Sequence, residues 1–267
     1  MSSSKSLWSR EILFLFGATF LAYANISVFF FYYQYLSTLP IDPRWFGILI
    51  AGFSAVSLVM RPLIIPFLHR GNAYRTMFTG TIMLIAALCA YSLAMGFWGM
   101  LLVRSLHGLA FVLLGAALMT ITVDHIPAER SAQFFGFLSI IVLIPNTMIP
   151  PLLPFLTQGL GGFTRVLLLF AGITALVFPL VHLARGSTPI SGTGKPLGSL
   201  QKEEILGDLR NGLILCLLLS MLLLYSSYAL VFFFLDGFGR RAGISGTGFF
   251  LTLSTAGEIG VRMVAGS

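Results

Sequence analysis

Val28-Phe29-Phe30-Phe31 sits in the first long apolar run of the chain, and Val231-Phe232-Phe233-Phe234 sits in the seventh. Sliding the chain along itself by about 200 residues brings the two together. The runs that follow agree. Gly47 meets Gly248, Ala55 meets Ala256, and Arg61 meets Arg262, once the intervening loop differs by two residues. Apolar segments match one another easily, so the weight rests on agreement in both runs of the pair, including an arginine at the same end. A repeat that returns after six crossings keeps its direction through a membrane, and its two copies are related by an axis along the membrane normal.

Composition fixes the solvent. Of 267 residues, 57% are hydrophobic and only 9% are charged, against about 25% charged in a soluble protein. Mean hydropathy is +0.94. So few charges cannot coat a soluble domain of this size, which excludes a soluble enzyme, a nucleic-acid-binding module and a disordered chain. The 16 basic and 9 acidic residues leave a net charge of +7. The basic residues lie in ones and twos between apolar runs, as in membrane proteins that keep positive charge inside. Cys89 and Cys216 each fall inside an apolar run and read as small core residues, with no disulfide and no metal site.

Crossing about 30 Å of hydrocarbon takes about 20 apolar residues in a helix. Eight stretches qualify, near residues 11–37, 45–68, 74–96, 97–123, 131–157, 163–184, 209–236 and 246–266. They are continuously apolar, where membrane strands would alternate. The first is too long for a cleaved signal peptide and lacks a small-residue cleavage site. With the N-terminus inside, Lys5, Arg10, Arg70, Arg75, Arg130, Arg185, Lys195, Lys202 and Arg210 are internal, while Arg44, Arg165, Arg240 and Arg241 are external. That asymmetry orients the chain with a cytoplasmic N-terminus. Residues 185–208 hold Gly, Ser and Pro and then Lys202-Glu203-Glu204, the composition of a flexible linker. The expected organisation is therefore a six-helix bundle over 1–184, a cytoplasmic linker over 185–208, and two further helices over 209–267. With the first copy as template, about four more helices are expected beyond Ser267.

Short motifs sharpen this. Between the second and third runs stands Arg61-Pro62-Leu63-Ile64-Ile65-Pro66-Phe67-Leu68-His69-Arg70-Gly71-Asn72-Ala73-Tyr74-Arg75. The fourth run holds Arg104-Ser105-Leu106-His107-Gly108, and Asp124-His125-Ile126-Pro127-Ala128-Glu129-Arg130 follows it. Together with the repeat, these resemble the major facilitator superfamily. Arg61, Pro62, Arg70 and Arg75 fit its loop between helices two and three, which the resemblance gives the role of a conformational gate. Ile65 stands where that family carries glycine, and His69 where it carries aspartate. The same stretch also suits a generic basic cytoplasmic turn. Arg104 and Gly108 resemble the family's Arg-x-x-x-Gly element. In the fifth run, Pro145, Pro150, Pro151 and Pro154 keep a bend, while Pro145, Ile149, Leu153 and Pro154 replace expected glycines, so the antiporter pattern is absent.

The resemblance implies an all-α polytopic membrane protein, not an enzyme, that carries a small-molecule solute by alternating access with protons as coupling ion. No cofactor, metal or nucleic acid is implied, and the expected location is the plasma or inner membrane. Asn25 and Tyr32, seven residues apart on one face of helix one, are the solute-binding candidates. Arg104 is costly to bury in lipid and should face a cavity, unless it snorkels to the interface. His107 shares its face, and an arginine beside it disfavours the imidazolium. Glu258 is a proton-carrier candidate and could equally pair with Arg262 four residues on. Asp124 and His125 read as part of a solvated loop. Two rivals remain at this stage. One is a non-transporting scaffold or remnant. The other is a membrane transferase, which would need clustered aspartates that this chain does not show.

Overall fold

The computed structural model describes residues 9–126, 131–185 and 210–265. Eight helical rods account for them, and no strand occurs among the described residues. They are α1 (Arg10–Ser37), α2 (Pro43–Phe67), α3 (Arg70–Ala90), α4 (Gly96–Val123), α5 (Ser131–Leu160), α6 (Phe163–Ala184), α7 (Gly212–Arg241) and α8 (Thr247–Ala265). The first seven are long and apolar enough to cross a membrane. The protein is thus an all-α polytopic membrane protein. α8 is the exception to the expected eight spans: it is helical, but it is not among those seven, and Glu258 and Arg262 interrupt its apolar face. The expected linker after Arg185 and residues 127–130 lie outside the described residues.

Helix starts follow from capping chemistry. Ser9, Asp42 and Asn211 each accept a backbone N–H from the first turn of α1, α2 and α7, as short polar caps do. His69 does the same for α3. Its Nδ1 accepts from Gly71 N at 3.1 Å, while Asn72 Oδ1 accepts from His69 N at 2.9 Å. This reciprocal cap starts α3 at Arg70, ahead of the expected Tyr74.

α1 runs through the middle, against α4, α5 and α6 and, at its C-terminal end, α7. α3 packs on α4 where Gly80 leaves room: a Cβ there would stand 2.6 Å from Leu114 N. Such small-residue contacts are how membrane helices approach closely. Two large apolar clusters divide the bundle along its length. One gathers Phe29, Phe30, Tyr32, Tyr91, Phe163 and Phe232 toward what we call the Asp236 face. The other gathers Leu15, Ala18, Leu84, Leu118 and Val181 toward the opposite, His69 face.

α8 docks on α5. The prolines of α5 explain how. Pro151 has no N–H, so the carbonyl of Thr147, four residues earlier, loses its helical partner. The Thr252 hydroxyl of α8 donates to that oxygen at 2.8 Å. Gly248 lets the helices meet, since a Cβ there would lie 3.0 Å from the Pro150 carbonyl. α7 is different. It is buried only near Phe232, Asp236, Gly237 and Gly239. Cys216, expected in a core, therefore sits exposed on α7.

Candidate functional site

Arg104 is carried by α4 into the middle of the bundle and is only 2% exposed. Two local features build its surroundings. First, Gly108 allows α2 to press against α4, since a Cβ there would meet Phe53 O at 2.6 Å. Ser57 Oγ reinforces the contact by donating to Gly108 O at 3.3 Å. This brings the Phe53 ring to 5.0 Å from the Arg104 guanidinium carbon. Second, α1 tightens to a 3-10 turn at Phe29–Phe31. Side chains three apart eclipse in such a turn, and Phe29 and Tyr32 both present their rings to Arg104, at 4.4 and 4.5 Å. Three aromatic faces therefore surround the cation. Desolvated cation–π contacts are worth about 2 kcal/mol each.

His107, one turn on, is fully buried between the rings of Phe29 and Phe53 at 4.9 and 5.0 Å. Its Nδ1 meets the Tyr91 hydroxyl at 3.3 Å. His107 Nε2, Arg104 Nε and the Tyr32 hydroxyl are buried without a hydrogen-bond partner. Buried polar atoms are ordinarily satisfied, so three together mark a site rather than a core.

Arg104 and His107 border a cavity of about 140 Å³. Its remaining wall comes from Phe29, Phe53 and Ser54, from Asn146 of α5, and from Tyr228, Phe232 and Phe233 of α7. Phe29 of α1 and Phe232 of α7 thus face one cavity. Asn146 links three helices: Ser27 Oγ of α1 donates to its Oδ1 at 2.6 Å, and its Nδ2 reaches the Tyr228 hydroxyl at 3.4 Å. The sequence reading passed over Asn146. Its signal was an amide beside Pro145 in an otherwise apolar helix.

The other expected residues fall elsewhere. Asn25 turns to α6, where it and Thr174 bond in both directions at 2.9 and 3.2 Å. It staples two helices and does not border the cavity. Glu258 and Arg262 pair at 2.6 Å on α8, both partly exposed. Arg61, His69 and Arg70 border a separate, larger cavity of about 490 Å³ on the His69 face, with Tyr23 and Asp124. There Arg70 Nε meets Asp124 Oδ1 at 2.6 Å. Asp124 is therefore not merely solvated: α4 supplies a carboxylate to the α2–α3 turn, where His69 offers only a cap. Arg75 is exposed one turn along α3, and Pro62 sits inside α2.

A second polar cluster closes the opposite end. Asp236 of α7, 8% exposed, accepts from Thr247 Oγ1 of α8 at 2.6 Å and from Arg240 Nε at 3.0 Å. Gln34 Nε2 of α1 also donates to it. The sequence reading used Asp236 only as a helix end. Among the described residues no three His, Cys, Asp or Glu side chains group as metal ligands.

No curated protein and no solved structure is significantly similar to this chain. A family model matches residues 15–267, from the first turns of α1 through α8. It therefore covers the Arg104 element and the basic turn at His69. On that match the chain, a membrane protein in which a buried arginine and histidine border a cavity, belongs to the Major Facilitator Superfamily.

Proposed function

We propose that this protein is a secondary transporter that moves a small solute by alternating access, with protons as the coupled ion. One observation supports this most: a buried arginine and histidine border a cavity walled by helices of both repeat copies. A site on that seam opens to one side or the other as the copies rock, because its walls belong to different moving bodies. In this reading the Asp236 cluster holds one end closed, and the Arg70–Asp124 pair stands at the end that opens. His107 is the proton carrier, since it stands in the cavity wall, its imidazole takes up and releases a proton most readily of the groups there, and its Nε2 has no partner. Glu258, paired and partly exposed on α8, has the weaker claim.

The His69 face is cytoplasmic in this proposal, on the basic residues that gather there, and the membrane is the plasma or inner membrane. Cavity access tests the reading without knowledge of the solute. In a background lacking Cys89 and Cys216, Ser54→Cys should react with an impermeant thiol reagent applied from either side of vesicles. Reaction from one side only, whatever the pH or membrane potential, would refute alternating access. His107→Gln should keep this two-sided access while abolishing the dependence of the Ser54→Cys reaction rate on an imposed pH gradient.

A further inference from the structure

We infer that the cavity binds a small organic monoanion, a carboxylate on an apolar body about the size of a benzene ring. The inference rests on the transporter reading for its biological meaning, but the binding itself can be measured apart from transport.

Charge comes first. Arg104 is buried, and among the described residues no carboxylate pairs with it. The acids with a cationic partner are committed elsewhere, Asp124 to Arg70, Asp236 to Arg240 and Glu258 to Arg262, while Asp42 caps α2. The polar neighbour of Arg104 is neutral, the Tyr91 hydroxyl. Aromatic faces shelter the guanidinium but leave its Nε unbonded. A carboxylate fits what is left over, since guanidinium presents a planar fork of donors that matches two carboxylate oxygens. A cationic solute would meet like charge, with the best ring faces already taken by Arg104. A dianionic phosphate would leave uncompensated charge against a single cation.

Size and polarity come next. The cavity holds about 140 Å³. An apolar cavity of about 150 Å³ accommodates benzene. Phe29, Phe53 and Phe232 wall it, which suits an apolar body. Two polar groups stand clear of Arg104. His107 Nε2 is unpartnered. Asn146 is held only by Ser27 and the long contact to Tyr228. They suit one further polar substituent, not a sugar's ring of hydroxyls.

The test uses the purified chain in detergent and three probes of one shape: benzoate, benzamide and benzylamine. Calorimetry should show benzoate binding about tenfold or more tightly than either of the others, the ratio that a charge-assisted hydrogen bond gives over a neutral one. Arg104→Gln should bring benzoate and benzamide within about twofold of each other, and Arg104→Lys should fall between. The wild-type comparison needs no variant, so misfolding of Arg104→Gln would not blunt it. Benzamide binding as tightly as benzoate, benzylamine binding best, or no binding of any probe would each overturn the anion site. None of these results touches the two-sided access of Ser54→Cys, so failure here and failure of the transporter reading stay distinct.

Discussion

Nε of Arg70 lies 2.6 Å from Oδ1 of Asp124, and the contact ties the start of α3 to the end of α4. The arginine side chain is 51% exposed and the aspartate 22%. Such a pair contributes at most about 1 kcal/mol to stability. Asp124→Asn should therefore shift the unfolding midpoint in detergent only slightly. It should instead change the rate at which a cysteine at Ser54 reacts from the His69 face. Exchanging the charges, Arg70→Asp with Asp124→Arg, should restore the original rate. A large fall in midpoint with unchanged access would contradict a gating role.

Asp236 gathers hydrogen bonds from three helices through Gln34, Arg240 and Thr247. Removing the carboxylate leaves those donors without a partner in a poorly hydrated place. Asp236→Ala should lower stability by about 2 kcal/mol or more, and Asp236→Asn by less, because the amide oxygen still accepts from Thr247. Thermal unfolding of the purified chain distinguishes them. Equal losses would mean that the negative charge, rather than the acceptor geometry, carries the contact.

Thr252 acts on the carbonyl that Pro151 sets free. Thr252→Val keeps the shape and removes the hydroxyl. It should cost about 0.6 kcal/mol, the mean worth of a hydrogen bond between membrane helices. In a Pro151→Ala background the backbone N–H returns to Thr147 O, and the same substitution should cost almost nothing. A double-mutant cycle on unfolding midpoints measures the difference, and strict additivity would rule out the link.

Glycines at helix crossings give a sharp contrast. Gly80→Ala and Gly108→Ala should each lose about 1–3 kcal/mol, because the added carbon meets backbone atoms that cannot step aside. Gly172→Ala, where nothing lies within 4 Å, should be neutral or slightly stabilising. Loss of stability at Gly172 equal to that at Gly108 would refute the close-approach account.

Orientation can be read with two cysteines in the background lacking Cys89 and Cys216. Thr38→Cys and Arg75→Cys are both exposed and lie at opposite ends of the bundle. An impermeant thiol reagent should label Thr38→Cys in intact cells and leave Arg75→Cys untouched. The reverse pattern would invert the topology.

Much of the fold was legible because lipid demands it. A span must be apolar for about 20 residues, and seven such runs became membrane-length helices within a few residues of their expected ends. Helix starts were less legible, as at α3, where a histidine cap replaces the familiar short polar residues. Arg104 and His107 could be placed in the cavity wall because a charge inside a span has few places to go. Asn25 could not. A single amide on a helix reads the same whether it faces a cavity or, as here, a threonine on a neighbouring helix. Asn146 and Asp236 went unrecognised for the complementary reason: each has a partner more than eighty residues away in sequence, Tyr228 for Asn146 and Gln34 for Asp236.

α7 is anchored at one end of its length. From Gly212 to Val231 it is exposed almost throughout, while Phe232, Asp236, Gly237 and Gly239 are buried against α1 and α8. Were α7 to tilt, Asp236 would be its fulcrum. The arm from Asp236 to Gly212, which touches α5 through the Tyr228–Asn146 contact, is about 36 Å long at 1.5 Å per residue. A tilt of about 10° at the fulcrum would therefore sweep its far end by about 6 Å, more than a helical turn. Small changes at the Asp236 cluster would thus appear, magnified, at the opposite face of the membrane, while Tyr228 and Phe232, close to the pivot, would scarcely leave the cavity they enclose.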